Sequence, residues 1–440
     1  MDAHDSPWQI LLDALLLQAG FNSLVVTTGT ALLGGAAGLV GVFALLRRRS
    51  LVADAMSHAT LPGVAIAFLV ATGLEVKGLS LPVLLFGAAS SGVLGVLAID
   101  AIVRFSRLRE DAAIGIVLSV FFGAGVVLIS WIQVNSSSSS AGIDHFLEGR
   151  AASMLPRDTI VMASLAVGVA VLIAAFRRTF ALVCFDEPFA RMTGWPTTMI
   201  DLSILMLMVV VTVAGLQAVG IVLIVALLII PAVTARFWSD RLSNILVIAA
   251  IVGTTSGYAG TAISTAFPDL PTGAVIVLTA TAIFLASLLL APNRGVLGHA
   301  LRRWRLRMRI ESDHLLEAVA EHIAGDASEA PITPDIWRSL HRVRGWSPWF
   351  SQLVLLRLRR RGLATGRGTD TVVTMAGCRR GREVIRNHAL WEQYLVTHAD
   401  IAPNHVDWSV DQVEHVLSTE LIRRLERDLN NASPYGDAPS

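Results

Sequence analysis

Asp54 and His58 stand four residues apart inside an apolar run, in Ala53-Asp54-Ala55-Met56-Ser57-His58-Ala59-Thr60-Leu61-Pro62-Gly63. On a helix that spacing puts both side chains on one face. Counting about 1.5 Å per residue from Arg49, the imidazole lies roughly 13 Å into the run. A charged group at such a depth in lipid is costly and marks a pathway by default. A carboxylate beside an imidazole suits Mn²⁺, Fe²⁺ or Zn²⁺ and is a poor receptor for an organic solute. The spacing alone leaves a second reading open, a buried Asp–His pair that only staples helices together. Similar donor spacing recurs near the C-terminus: His388 with Glu392, Asp411 with Glu414 and His415, and His314 with Glu317. Each set falls on one helix face. Any one of them is also what a solvated helix surface looks like.

The elements that hold these residues follow from charge. Of 440 residues, 54% are hydrophobic and only 16% charged, against about 25% charged in ordinary soluble domains. Residues 20–292 are sparse in charge, whereas 293–440 are dense in Arg, Asp, Glu and His. This predicts an all-α polytopic membrane domain followed by a water-soluble one. Apolar stretches cover 21–46, 51–72, 81–103, 112–134, 160–176, 199–216, 218–237, 245–267 and 272–291. Nine spans are therefore expected, within a range of eight to ten. The connection at 216–220 is short enough to be a break within one pore-lining segment, and 144–156 is short enough for a surface or re-entrant helix.

Arginine clusters at 47–49, 104–109, 177–191 and 236–241 and after Arg294, and the loops between are poor in it. Cytoplasmic loops carry the excess, so the N-terminal segment 1–19 is placed outside and the C-terminal region in the cytosol of a bacterial inner (cytoplasmic) membrane. That segment lacks the basic start of a signal peptide. Asp201 lies close enough to the cytosolic edge to snorkel. A local ion pair with Arg104 accounts for Asp100, and hydrogen bonding or packing for Gln217 and Tyr258. Cys184 and Cys378 form no disulfide framework. Lys77 is the only lysine, so the Gly-Lys-Ser/Thr loop of ATP-driven motors is missing. The chain is thus expected to be no enzyme, with ATP hydrolysed on a separate subunit.

The segment from Leu51 to Gly63 closely resembles the signature of the manganese, zinc and iron ABC importer permeases. So do Asp111-Ala112-Ala113-Ile114-Gly115-Ile116, Phe185-Asp186-Glu187-Pro188-Phe189-Ala190-Arg191-Met192-Thr193-Gly194 and Ala226-Leu227-Leu228-Ile229-Ile230-Pro231-Ala232-Val233-Thr234-Ala235-Arg236. These motifs occur in order across 20–292. The resemblance implies that Asp54 and His58 form the transport metal site. It implies too that Asp186, Glu187, Pro188, Ala190 and Gly194 belong to the element that couples to the ATPase. An extracytoplasmic metal-binding protein and a second permease copy or paralogue are the further partners it implies.

A basic juxtamembrane linker, 293–310, follows the last span and suits anionic headgroups. Thr333-Pro334-Asp335 opens a helix, and Ser347-Pro348 opens another that Gly362 ends. Strands at 363–365 and 371–375 flank a turn. This is winged-helix order, an α+β domain over 311–376. A helix at 381–397 and a capped one at 407–417 complete a helical domain over 377–432, and a disordered tail over 433–440 is expected. Residues 311–430 resemble the iron- and manganese-dependent repressors, best in His388-Ala389-Leu390-Trp391-Glu392-Gln393-Tyr394-Leu395-Val396 and Asp411-Gln412-Val413-Glu414-His415-Val416-Leu417-Ser418. The resemblance implies regulatory metal ligands at His388, Glu392, Asp411, Glu414 and His415, with His314 and Glu317 from the first helix. Asp411 stands where iron-responsive members have Cys, and an oxygen donor there leans toward Mn²⁺. The second helix begins Pro348-Trp349-Phe350, with few groups to read base edges, which disfavours DNA binding. The expected function is a metal-importing permease with a metal-sensing domain. The alternatives are the same permease with a metal-free dimerisation clamp, or a membrane-anchored metal-dependent DNA-binding regulator.

Overall fold

Backbone inside lipid must satisfy its own N–H and C=O groups, so the long apolar runs become helices. The computed structural model describes residues 7–47, 50–73, 81–135, 154–267, 270–292, 294–322, 329–366 and 371–398. The chain divides into two units, Met1–His299 and Ala300–Ser440.

The first unit contains α1 (Pro7–Leu15), α2 (Phe21–Leu46), α3 (Ser50–Gly73), α4 (Leu81–Phe105), α5 (Glu110–Asn135) and α6 (Pro156–Phe185). After these come α7 (Glu187–Met192), α8 (Thr197–Val219), α9 (Ile221–Trp238), α10 (Leu242–Ala266) and α11 (Thr272–Leu290). Among the described residues eight helices, α2–α6, α8, α10 and α11, are long and apolar enough to cross a membrane; the apolar helix α9 is shorter. The ninth expected span is that shorter helix, because the chain reverses in a single residue. Gly220 takes φ 82°, a left-handed conformation open to glycine. A Cβ at Gly215 would lie 2.3 Å from the Ile224 side chain, so α8 and α9 fold back on each other rather than forming one interrupted segment.

Several arginines expected in loops are helical: Arg104 and Arg236 lie in the last turns of α4 and α9, and Arg177 and Arg178 lie inside the 30-residue helix α6. At about 45 Å that helix outruns a hydrocarbon core of roughly 30 Å, so its last turns need no apolar surroundings. The pair expected between Asp100 and Arg104 is present at 2.7 Å. Tyr258 donates to the Leu15 carbonyl, tying α1 to α10. The segment 136–153 lies outside the described residues.

Helix α2 is buried along most of its length, and small residues let its neighbours reach its backbone. A Cβ on Gly34 would stand 2.2 Å from the Gly253 carbonyl oxygen, and one on Gly253 2.0 Å from that of Gly34. Such small-residue seams are how membrane helices pack without a hydrophobic drive between them. A matching seam joins α3 to α4 at Gly63 and Gly87.

Helix α12 (Val296–Glu321) begins just before the division at His299, and the second unit continues with β1 (Ala330–Pro331), α13 (Pro334–Arg344), α14 (Pro348–Arg360), β2 (Ala364–Thr365), β3 (Val372–Val373) and α15 (Met375–His398). The strands form an antiparallel sheet in the order β1-β3-β2, with Val373 paired to both Ala330 and Ala364. A core of Leu315, Leu316, Ile336, Leu340, Val354, Leu358 and Val373 holds the helices on it. Both proline-opened helices start where expected, although Thr333 makes no side-chain cap bond. Helix α15 begins earlier than expected because Thr374 starts it: its Oγ1 accepts from the Gly377 N–H at 3.3 Å. Arg380 then grips Asp313 on α12 through two hydrogen bonds of 3.2 and 2.9 Å. The helix expected at 407–417, the turn residues 367–370 and the tail 433–440 lie outside the described residues.

Candidate functional site

On α3 the Asp54 carboxylate and the His58 imidazole face each other, Oδ1 to Nε2 at 3.6 Å. An ion bonded to both at about 2.1 Å would subtend about 118°. That is close to a tetrahedral angle, so one metal fits between the two atoms as they stand. The ring of His58 stands edge-on to Phe122 of α5, centroids 5.0 Å apart and planes at 80°. Its Nδ1 is buried with no hydrogen-bond partner among the described residues. Pro62, lacking an N–H, cannot donate to the His58 carbonyl one turn back. Neither Asp54 nor His58 hydrogen-bonds to another helix among the described residues. Phe122 gives no signal in the sequence, being one apolar residue among many in its span.

Arg47, the residue after α2, gathers three elements. Its Nε donates to Asp201 at the start of α8 at 2.8 Å, and its Nη1 to Glu187 of α7 at 3.0 Å and to the Val183 carbonyl of α6 at 3.1 Å. Glu187 also pairs with Arg191. Burial works to raise the Glu187 carboxyl, but the hydrogen bonds and charges of Arg47 and Arg191 outweigh it and hold the group below its ordinary value. Asp186 caps α7, accepting from the Phe189 N–H at 3.0 Å, and Pro188 occupies the first turn. Ala190 is fully buried and Gly194 turns the chain at φ 82°. The motif residues therefore build and anchor α7. Beside the exposed polar residues Asp186, Arg191 and Thr193, α7 and its flanks expose five large apolar side chains: Phe185, Phe189, Met192, Trp195 and Met199.

In the second unit, His314 is buried with Nδ1 3.2 Å from Glu317 Oε2, and His388 Nδ1 on α15 lies 3.9 Å from Glu317 Oε1. One carboxylate thus stands between two imidazoles from different helices. Among the described residues, however, no three His, Cys, Asp or Glu side chains form a group that can hold an ion. Glu392 lies on α15 with its side chain outside the described residues, as are Asp411, Glu414 and His415 altogether.

Residues 22–291 match the ABC 3 transport family, more than half of the chain. The chain belongs to that family. Residues 374–437 match the metal-binding and dimerisation domain of the iron dependent repressors. As an ABC 3 transport family member the chain is a multi-pass membrane permease subunit and not an enzyme, the ATPase being a separate subunit. A manganese transport system membrane protein of Bacillus subtilis is 39% identical over 382 residues, 87% of this chain and 86% of that protein. A match of that length runs past the membrane unit. A zinc transport system membrane protein of Treponema pallidum is 42% identical over 283 residues, 64% of this chain and 93% of that one. Among solved structures, PsaBC from Streptococcus pneumoniae in complex with Fab aligns with TM-score 0.55 and 32% identity, covering 64% of this chain and 96% of that chain.

Proposed function

We propose that this permease carries a divalent transition metal into the cytoplasm, Mn²⁺ foremost, with Zn²⁺ and Fe²⁺ within the chemistry of the site. The observation that carries the reading is the Asp54–His58 pair, 3.6 Å apart on a helix in lipid and not hydrogen-bonded to another helix among the described residues. Relatives named for manganese and for zinc transport support the cargo class. The side chains of Asp54 and His58 are 45% and 26% exposed, which leaves room for ligands from a second permease copy across a shared pathway. An extracytoplasmic metal-binding protein delivers the ion. The separate ATPase docks on α7, whose exposed Phe189 and Met192 are unusual for a segment outside the bilayer. Arginine bias places that end in the cytosol. In keeping with this, Arg47, Arg191 and Arg294 are all paired with loop or helix-end carboxylates.

The C-terminal domain is read as a winged helix plus a metal-sensing helical domain. The order helix, strand, two helices and hairpin supports the first part, and the match of 374–437 supports the second. DNA binding is disfavoured, since α14 buries Phe350 and Ser351 and exposes Trp349 near its start.

The test is uptake of radiolabelled Mn²⁺ and Zn²⁺ by cells carrying Asp54→Ala or His58→Ala. Both variants are expected to assemble and to lose transport. Accumulation at the wild-type rate with either one overturns the metal site.

A further inference from the structure

We propose that Arg47 is the positioning residue that transmits movement of α7 to the metal-bearing helix α3. The inference rests on reading α7 as the ATPase-docking element. Arg47 touches neither metal ligand. It acts through its place in the chain: it closes α2, and α3 begins only three residues later at Ser50, with Asp54 one turn beyond. Its guanidinium holds Glu187 of α7, Asp201 of α8 and the last turn of α6 at once. The side chains of Arg47 and Asp201 are only 13% and 15% exposed, so water screens the pair little. A displacement of α7 therefore pulls on the α2–α3 connection through a fixed polar link.

The geometry also says which substitutions break the link. The planar guanidinium bonds Asp201 and Glu187 with different nitrogens, a division a single ammonium on a flexible stem does not reproduce. Removing Arg47 alone takes the guanidinium from the largely buried Asp201 carboxylate, and losing one partner of such a pair is itself destabilising. Arg47→Gln combined with Asp201→Asn removes both charges of the pair together, while Glu187 keeps Arg191.

The experiment uses the full permease with its ATPase in proteoliposomes, with the extracytoplasmic metal-binding protein added for transport, measuring ATP hydrolysis, Mn²⁺ moved per ATP, and, without nucleotide or binding protein, Mn²⁺ binding. For both Arg47→Lys and the double variant, binding and hydrolysis are expected to stay close to wild type. Mn²⁺ moved per ATP is expected to fall roughly tenfold to a hundredfold, the scale on which lost positioning is felt. An unchanged ratio in the double variant overturns the proposal. So does failure of that variant to assemble with the ATPase, because the link would then build the docking element rather than transmit from it. Phe189→Asp on the exposed face of α7 separates the two readings. If that variant leaves assembly and hydrolysis untouched, the docking role of α7 fails regardless of Arg47; if it abolishes them while the Arg47 variants transport normally, only the Arg47 proposal falls.

Discussion

Gly34→Ala and Gly168→Ala make the same chemical change in two membrane helices, and the structure assigns them opposite signs. A methyl at Gly168 of α6 meets nothing within 4 Å. It should stabilise by about 0.5–1 kcal/mol through helix propensity and lost freedom of the unfolded chain. At Gly34 the methyl would stand 2.2 Å from the Gly253 carbonyl oxygen. Helix backbone has no rotamer to change, so α2 and α10 must separate locally by about 1.2 Å to reach ordinary contact. Overpacking of that kind costs about 1–3 kcal/mol, so even after the propensity gain Gly34→Ala is expected to destabilise by up to about 2 kcal/mol. Gly253→Ala should behave alike, its Cβ meeting the Gly34 carbonyl at 2.0 Å. The double variant should cost less than the sum, since one separation accommodates both methyls. Thermal unfolding of the purified permease complex, followed by intrinsic fluorescence, measures all four. Gly34→Ala no less stable than Gly168→Ala would refute the backbone-contact account of the α2–α10 seam.

Three further outcomes are expected. Phe122→Leu removes an edge-on ring contact worth about 0.5–1.5 kcal/mol; it should raise the KM for Mn²⁺ uptake about two- to tenfold, and an unchanged KM would detach Phe122 from the site. The Glu187 carboxyl is held below its ordinary value, so its contribution to anchoring α7 is complete above about pH 4.3. It is lost only as pH falls through the lowered value, and a spin-label distance between the end of α2 and α7 that lengthened already near pH 6 would implicate another group. In the whole transporter, Glu414→Gln with His415→Ala should relieve inhibition by high cytosolic metal and leave the low-metal rate alone; persistent inhibition would leave the C-terminal domain a clamp.

Where the sequence was legible, one physical rule dominated over a whole segment. Apolar runs longer than a bilayer became helices because no other structure satisfies their backbone, and Asp54 with His58 stood out because charge in such a run is rare. Proline-opened helices in the second unit were readable for an equally local reason. Helix ends were less so. Nothing in the lipid rule stops α6 at the membrane edge, so Arg177 and Arg178 stayed helical. The two-residue strand β1 carries too little pattern to be seen. Arg47 reads as an orientation signal, and its partners Glu187 and Asp201 lie 140 and 154 residues away. Only the fold brings them together.

The unpartnered Nδ1 of His58 bears on how tightly the pathway grips its cargo. Histidines that hold a resident metal almost always hand their second ring proton to a carboxylate or carbonyl, and losing that partner weakens binding by about 10–100-fold. Here the second nitrogen is buried without an acceptor among the described residues, and an aromatic ring rather than a hydrogen bond orients the imidazole. In the proposed site, an ion between Asp54 and His58 would be held by an imidazole whose second nitrogen has no acceptor among the described residues. A permanent centre built this way would leak its metal. A transit point gains from the same construction, because an ion that arrives must also leave.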